Sequence, residues 1–241
     1  MYKEHTDLSI ERAKKYYLWR YMDLWKFLKL INSSKLYFPN LQDLGDQNEG
    51  KIPIDFFNWM VEQDEKNEQE DKFPYVYKKW MDKHMSNRAL VNSWSAYNDE
   101  SFALWKMYAK NKLGVAIKTD IDNLIKAFKD TEETIFISDV NYIDIEKRNY
   151  NLVSPFNNYI SKNRYYEFES EVRCIILLEE DDDKEAKEIK VNLNNIIKEL
   201  YLSPFAFQTG LYDVIDFLKK RNQLTFDIKE SKINDNWSIL S

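Results

Sequence analysis

Glycine is scarce in this chain: its 241 residues include only four, Gly45, Gly50, Gly114 and Gly210. Phosphate-binding loops of the GxGxxG and GxxxxGK[ST] types need several closely spaced glycines, because the backbone must bend sharply and approach the phosphates. The four glycines present cannot be arranged into either pattern. The scarcity therefore excludes a standard dinucleotide-binding fingerprint and a P-loop.

Cysteine and histidine are equally scarce, with one cysteine, Cys174, and two histidines, His5 and His84. A disulfide within the chain needs two cysteines, so a reducing cytoplasm is the expected location. A structural zinc site of the usual Cys and His type is disfavoured for the same reason, and no metal site is predicted. A histidine-dependent triad would have to recruit His84 or the N-terminal His5. Any catalytic site is therefore expected to use carboxylates, arginines, hydroxyls and tyrosines.

Long apolar runs are missing as well. No segment approaches the ~18 consecutive apolar residues of a membrane-spanning helix, and the N-terminal segment MYKEHTDLSIERAKK lacks the apolar stretch of a signal peptide. The net charge of −6 argues against a surface that coats nucleic acids broadly, although a local basic cleft is compatible with it. We therefore expect no membrane partner and no broad nucleic-acid surface. A macromolecular acceptor or binding partner is expected, but nothing in the sequence identifies it.

Apolar and aromatic residues, in contrast, are plentiful at 44% and 15% of the chain, which is enough for a bulky core. Short strand patterns and helix patterns follow one another without the strict alternation of a parallel α/β fold. We predict a single α+β domain over residues 1–241, with short, mainly antiparallel strands and flanking helices. The strongly charged residues around 51–90 are predicted to form a helical insertion in this domain.

Several local patterns predict individual elements. Residues 8–31 predict a helix, a short extended or turn segment, and a second helix that begins after an N-cap at Asp23. The segment DESFALWKMYAKN predicts a helix with Asp99 near its start. Trp105 and Tyr108, three residues apart on that helix, are expected to pack in the core. The acidic run EEDDDKEAKE is predicted to be a solvated loop.

Two predicted strands carry the polar residues of greatest interest. The segment that begins ALVNSW predicts a strand with Ser93 and Ser95 on one face and Trp94 on the other. The segment YYEFESEVRCIILL predicts a second strand, on which Glu169 and Glu171 share a face. Hydroxyls and carboxylates would therefore meet if the two strands lie side by side.

Six short segments occur in a fixed order along nearly the whole chain: WRYMDLWKFL, LYF, LGDQNEG, NSWSAYNDESFALWKMYAKNKLGVAI, FESEVR and LSPFA. Their order and content resemble a bacterial family known as domain of unknown function twenty-nine seventy-one. The chain departs from the family pattern in two places. Arg20 stands where histidine or lysine is common, and LGDQNEG replaces a loop close to FNDPFEG.

Three of these segments contribute Arg20 after the first strand, a Ser-x-Ser strand and a Glu-x-Glu strand. That layout is similar, through short motifs alone, to the Arg-Ser-Glu group of ADP-ribosyltransferases. The resemblance implies an ADP-ribosyltransferase-like fold and NAD as the bound nucleotide. It also implies NAD-dependent transfer of ADP-ribose to an unidentified target, or simple hydrolysis of NAD.

The chemistry of NAD cleavage suits these residue types. Loss of nicotinamide leaves positive charge on the ribose, as in glycoside cleavage, so a fixed carboxylate is needed there. Glu171 is expected to bind a ribose hydroxyl and stabilise that charge, and Glu169 to orient or deprotonate the acceptor. Arg20 is expected to bind phosphate oxygens. Ser93 and Ser95 are expected to position Glu171 and the nicotinamide ribose.

Aromatic residues complete the predicted NAD site, because Tyr21 or Trp94 could stack on a ring of the ligand. Two alternatives stay open. Glu171 and Arg173 could form a structural pair on an ordinary half-buried strand, in a non-catalytic protein that binds a nucleotide or a partner chain. A carboxylate-metal hydrolase or nuclease is less favoured. Its candidate ligands are Asp46, Glu49, Glu169 and Glu171.

Overall fold

A seven-stranded, mainly antiparallel sheet forms the centre of the fold in the computed structural model. The structure describes residues 1–44, 46, 49–51, 58, 61–62, 88–109, 113–144, 156–179, 185–206 and 210–233. These residues form one α+β domain, which confirms the predicted fold class. Most of the predicted helical insertion around 51–90, and His84 within it, lies outside the described residues.

The strands of the central sheet follow a crossed order along the chain. From one edge to the other they are β11 (Asp227–Glu230), β10 (Glu199–Leu202), β4 (Gly114–Thr119), β1 (Tyr17–Asp23), β3 (Ala89–Tyr97), β8 (Glu171–Leu177) and β5 (Phe136–Asp139). All neighbours are antiparallel except β10 and β11. Two small sheets flank it, one of β2 (Lys35–Pro39) with β9 (Ala186–Lys190) and one of β6 (Asn141–Ile143) with β7 (Ser161–Asn163).

Short helices connect and cover these strands. They are α1 (Glu11–Lys15), α2 (Leu24–Ser33), α3 (Phe102–Tyr108), α4 (Ile121–Ala127), α5 (Asn157–Ile160), α6 (Leu193–Ile196) and α7 (Leu211–Arg221), with 3₁₀ helices at Leu41–Asp43 and Arg164–Glu169. Asp23 caps α2 as predicted, since its carboxylate accepts a hydrogen bond from the Lys26 backbone N–H. Ser101, and not Asp99, caps α3.

Strands β1 and β3 pair along only part of their length, and this positions the site. β1 pairs with β4 from Leu18 to Asp23, but it pairs with β3 only from Tyr17 to Trp19. β3 pairs with β8 on its other side up to Ser95. Within these described strands, the β1–β3 ladder therefore ends at Trp19, and the two strands separate beyond it.

The two faces of the sheet have different cores. One face packs a large, mainly aliphatic cluster that includes Leu18, Val172 and Cys174. The other face packs a smaller aromatic cluster around Trp19 and Trp105. This follows from strand alternation, which sends successive side chains of β1 to opposite faces. Cys174 is buried and free, and burial raises the pKa of its thiol to about 12.

Three local predictions differ from the structure. The strand predicted over YYEFESEVRCIILL begins only at Glu171, because Arg164–Glu169 forms a 3₁₀ helix and Ser170 adopts a left-handed conformation with φ of 44°. The last three residues of the segment predicted as an acidic loop, 186–188, begin β9, which pairs with β2. Arg20 lies within β1 and not after it.

Candidate functional site

A cleft of about 840 Å³ opens where β1 and β3 separate. Its walls come from β1, β3, α2, β2, the last turn of α3, β7 and the 3₁₀ helix Arg164–Glu169. This volume is within the usual range for small-molecule sites, roughly 300–1,000 Å³. Every residue of the predicted site lines the cleft: Arg20, Tyr21, Ser93, Trp94, Ser95, Glu169 and Glu171.

Arg20 brings a positive charge to the gap between the strands. Its Nη1 lies 3.5 Å from the backbone oxygen of Ser93, and its guanidinium lies 5.8 Å from the centre of the Trp94 ring. No carboxylate in the described part of the chain forms an ion pair with it. Loss of hydration lowers the pKa of Arg20 to about 10, against the smaller opposing effects of Cys174 and Tyr108. An anionic ligand would supply the missing counter-charge.

Glu171 occupies the opposite side of the cleft in a network of buried charges. Arg173 donates from Nε to one Glu171 oxygen at 2.9 Å and from Nη2 to the other at 3.1 Å. The Lys162 ammonium lies 3.2 Å from that second oxygen. Burial alone would raise the pKa of Glu171, but Arg173 and Lys162 outweigh it and lower the pKa to about 2. The carboxyl therefore stays ionised at any ordinary pH.

Glu169 reaches the same network from a different element. It is the last residue of the 3₁₀ helix, yet its carboxylate lies 2.6 Å from the Lys162 ammonium. Burial raises the pKa of Glu169 above its usual value, against the opposing effect of Lys162. The two carboxyls thus have pKa values displaced in opposite directions, a pattern typical of sites where two carboxylates have different roles.

Glu49 completes the network from the loop after β2. Its two carboxylate oxygens each lie 2.9 Å from Nη2 of Arg173, and one lies 3.1 Å from the Lys162 ammonium. Arg173 also donates to the backbone oxygen of Tyr159 at 2.6 Å. We call Glu49, Lys162, Glu169, Glu171 and Arg173 the charge cluster.

The two serines of β3 lie next to the charge cluster. Ser93 is opposite Arg173 in the strand pairing and Ser95 is opposite Glu171, so their side chains share a face with those residues. The Ser93 hydroxyl is close enough to Glu171 to help lower the pKa of that carboxyl. It is nevertheless a buried hydroxyl without a hydrogen bond of good geometry among the described residues. A ligand hydroxyl could provide one.

Tyr21 and Trp94 line the cleft but are otherwise engaged. The Tyr21 hydroxyl accepts a hydrogen bond from the Ser101 backbone N–H at 2.9 Å, and its ring packs edge-on against Trp105. The Trp94 indole donates to the Asn92 side chain at 2.8 Å. Only 6% and 1% of these two residues are exposed, so neither offers a free ring face.

Tyr108 is an aromatic residue with an accessible ring in the cleft, as is Tyr37 on β2. Tyr108 was expected in the core beside Trp105, but 40% of it is exposed at the end of α3. The charges of Glu169, Glu171, Lys162 and Arg20 all affect its hydroxyl. Burial, followed by the two carboxylates, raises the pKa of Tyr108 to about 12. Tyr108 therefore lines the cleft within electrostatic reach of both charged sides.

Glu49 and Lys162 differ in how well their place in the charge cluster could have been predicted from the sequence. Glu49 is the second-to-last residue of the segment LGDQNEG, and the sequence named it only as a candidate ligand of the metal-dependent alternative. Lys162 stands seven residues before Glu169 in a segment without clear periodicity. Nothing local distinguishes it from the other lysines, because its role arises from tertiary contacts alone.

Comparisons with known proteins leave the family open: no family model matches the chain, and no curated protein matches its sequence.

Among the described residues, no group of three or more metal-ligating side chains is arranged to hold a metal ion. Glu49, Glu169 and Glu171 do converge, but they converge on the cationic groups of Lys162 and Arg173. No helix in the described ranges is long and apolar enough to cross a bilayer.

Proposed function

We propose that the chain binds NAD in this cleft and cleaves its nicotinamide–ribose bond, passing ADP-ribose to a macromolecular acceptor or to water. The observation that carries the proposal is the charge pattern of the cleft. Arg20, which has no counter-ion among the described residues, lines one side, and the carboxylates of Glu169 and Glu171 line the other. Oxidised NAD has a matching pattern, with an anionic pyrophosphate and a cationic nicotinamide ring.

Arg20 is proposed to bind the pyrophosphate. A guanidinium offers a fork of N–H donors that suits phosphate oxygens, and the low-polarity surroundings strengthen such a contact. Lys26, Lys29 and Lys35 add positive charge to the same wall of the cleft. Glu188 neutralises part of that charge, since it pairs with Lys29 at 2.7 Å. Arg20 is therefore the main phosphate ligand of this proposal.

Glu171 is proposed to stabilise the ribose as nicotinamide departs. The bond between the anomeric carbon and the ring nitrogen breaks, its electron pair goes to nicotinamide, and positive charge develops on the ribose. A carboxylate held ionised by Arg173 and Lys162 is suited to that charge and to a ribose hydroxyl. The Ser93 hydroxyl, which has no hydrogen bond of good geometry among the described residues, supplies a further contact to the sugar.

Glu169 is proposed as the general base. A new bond forms between the anomeric carbon and an acceptor atom or a water oxygen, and the proton released passes to the Glu169 carboxylate. The raised pKa of Glu169 favours this role, because a base with a pKa nearer the working pH holds the proton better. Tyr108, and not Tyr21 or Trp94, is proposed to stack on a ring of the ligand.

A second candidate is a non-catalytic protein that binds a nucleotide or a partner chain. The observation in its favour is that both oxygens of Glu171 already accept hydrogen bonds from Arg173, as expected of a structural pair.

We also propose that the chain belongs with the family of unknown function twenty-nine seventy-one and acts in the cytoplasm. The metal-dependent alternative is not proposed, since cations of the protein lie among its candidate ligands.

The proposal is tested by following nicotinamide release and NAD binding together for the wild-type protein and for Glu171→Gln and Glu169→Gln. We expect turnover in the wild type, with any acceptor supplied as cell extract. Loss of at least a hundredfold in both variants, with binding retained within about fivefold, is expected because each carboxylate acts on the reaction and not on the phosphates. Glu133→Gln, a similar change at an ion pair with Lys187 outside the cleft, is the matched control.

Retained turnover in Glu171→Gln would contradict the assigned role of that carboxylate. Binding of NAD without turnover in any acceptor mixture would favour the non-catalytic alternative. Absence of both binding and turnover would overturn the proposed function as a whole.

A further inference from the structure

Lys162 contacts three carboxylates of the charge cluster at once. It projects from β7, and its ammonium lies 2.6 Å from Glu169, 3.1 Å from Glu49 and 3.2 Å from Glu171. The same group lies 4.8 Å from the centre of the Tyr166 ring. Only 8% of its side chain is exposed, although it lines the cleft. A lysine this enclosed gives up hydration and side-chain freedom, and the three carboxylates compensate for that cost.

The three carboxylates depend on Lys162 to different degrees. Glu49 and Glu171 each contact both cations of the charge cluster. Glu169 contacts Lys162 alone among the described cations. Since Glu169 is also the carboxylate that burial disfavours in its charged form, its ionisation rests on this single partner.

We propose that Lys162 is a positioning residue that holds the Glu169 carboxylate charged and beside Glu171, so that Glu169 can accept the acceptor's proton. This inference rests on the proposed function above. Lys162 touches neither the reacting ribose nor the phosphates in this account. It acts through Glu169 by setting the orientation and the charge of that carboxylate.

Other titratable groups also face Glu169 and set the background against which Lys162 acts. They come from five elements and include two carboxyls and three phenols: Glu171, Glu49, Tyr108, Tyr97 and Tyr142. The carboxylates repel a charge on Glu169, and none of the phenols carries a positive charge. Without Lys162 the cluster would hold three carboxylates against one guanidinium, and Glu169 would be the carboxylate that takes up a proton.

The test compares Lys162→Met with the wild type by two independent readouts. The first is the titration of the Glu169 side-chain carboxyl, followed by NMR in protein labelled with ¹³C at glutamate and assigned with Glu169→Gln. We expect its midpoint to rise by about 1–3 pH units, the usual effect of one neighbouring opposite charge. The second is the pH profile of nicotinamide release, whose acidic limb should rise by the same amount, with a loss of about fivefold or more at its former midpoint and recovery at high pH.

Two further variants separate charge from folding. Lys220→Met removes a lysine from an exposed ion pair on α7 and should leave both readouts unchanged. Lys162→Arg keeps the positive charge but places it on a planar group that cannot reach all three carboxylates in the same way. We expect this variant to keep the acidic limb near the wild-type position and to lose at least tenfold in kcat, with KM little changed. If Lys162→Met does not fold, Lys162→Arg still tests the positioning role of Lys162.

An unchanged Glu169 titration in Lys162→Met would overturn the inference, whatever the enzyme activity. Equal acidic-limb shifts in the methionine and arginine variants, or an unaltered kcat in Lys162→Arg, would overturn it as well. A shifted Glu169 titration in a protein that never releases nicotinamide would contradict the proposed function while upholding the control of Glu169 by Lys162. The NMR readout therefore distinguishes failure of the inference from failure of the function.

Discussion

The two sides of the cleft differ in whether their charged groups have counter-ions. On one side, three carboxylates and two cations are buried together and satisfy one another, with Arg173 fully enclosed at their centre. On the other, Arg20 lies in the gap between β1 and β3 with a backbone oxygen and an aromatic ring as its contacts. The charge cluster is thus complete without a ligand, whereas Arg20 lacks a counter-charge within the described chain. Stability and binding should therefore respond to different residues.

The largest expected effect is on stability and comes from the charge cluster. Arg173→Met should lower the free energy of unfolding by about 3–5 kcal/mol, because Glu49 and Glu171 would be left buried without their shared partner. Urea unfolding at neutral pH measures this, with Lys220→Met, a change at an exposed ion pair, as a control that should leave the free energy of unfolding nearly unchanged. A loss below 1 kcal/mol for Arg173→Met would remove the contrast between the two sides.

Acid should weaken the charge cluster over a defined range of pH. The pKa of Glu171 is lowered from 4.5 to about 2 in the folded protein, so its contribution is complete above the unfolded value and is lost as pH falls through the folded one. The free energy of unfolding should therefore fall by up to ~3 kcal/mol between these values. Unfolding measured from pH 5 to pH 2 should show a shallower decline in Glu171→Gln than in Glu133→Gln. Equal slopes would contradict the ionised state assigned to Glu171.

Arg20 should show the reverse behaviour. Arg20→Met is expected to leave the free energy of unfolding unchanged within about 0.5 kcal/mol, or to raise it, because a desolvated and unpaired cation is removed. The same change should weaken the binding of ADP-ribose by about tenfold to a hundredfold, the usual value of a charge-assisted hydrogen bond. Calorimetric titration alongside urea unfolding measures both. A destabilised protein with unaltered affinity would show that Arg20 is structural.

Tyr108, which the charges of both sides influence, should give the smallest effect. Tyr108→Ala is expected to weaken ADP-ribose binding by about twofold to tenfold, because a stacking surface is lost at a site that is 40% exposed. Tyr108→Phe keeps the ring and should bind as the wild type does. If both variants bind equally well, stacking by Tyr108 is excluded. If both lose affinity equally, the hydroxyl matters and not the ring.

Much of the fold was predictable from local pattern. Alternation placed Ser93 and Ser95 on one face of β3, and the Asp23 cap marked the start of α2 as expected. The structure also places all the predicted site residues around one cleft, although the chemistry assigned to them is still a prediction. These successes share a cause, since strand alternation and helix capping depend on neighbours within a few residues.

The rest depended on contacts between distant segments. The separation of β1 from β3, which makes the cleft, is a matter of how three strands pair and leaves no mark in any one of them. Lys162 acquires its role only when β7 approaches β8, and Tyr108 looked like a core residue because its helical spacing from Trp105 is the same in either case. Tertiary contacts override such local signals.

The left-handed backbone conformation of Ser170 limits which substitutions this site can accept during evolution. Its backbone turn brings the end of a 3₁₀ helix and the start of a strand to one ammonium, and its hydroxyl and carbonyl oxygen fasten that turn to Ala96 of β3. A bulky β-branched residue is poorly tolerated at such a φ value, whereas glycine and asparagine are accommodated. A lineage could therefore keep both glutamates and still lose their partnership through one substitution at the serine between them. The spacing Glu-x-Glu therefore does not define the site by itself, because the residue between the two glutamates also determines whether they come together.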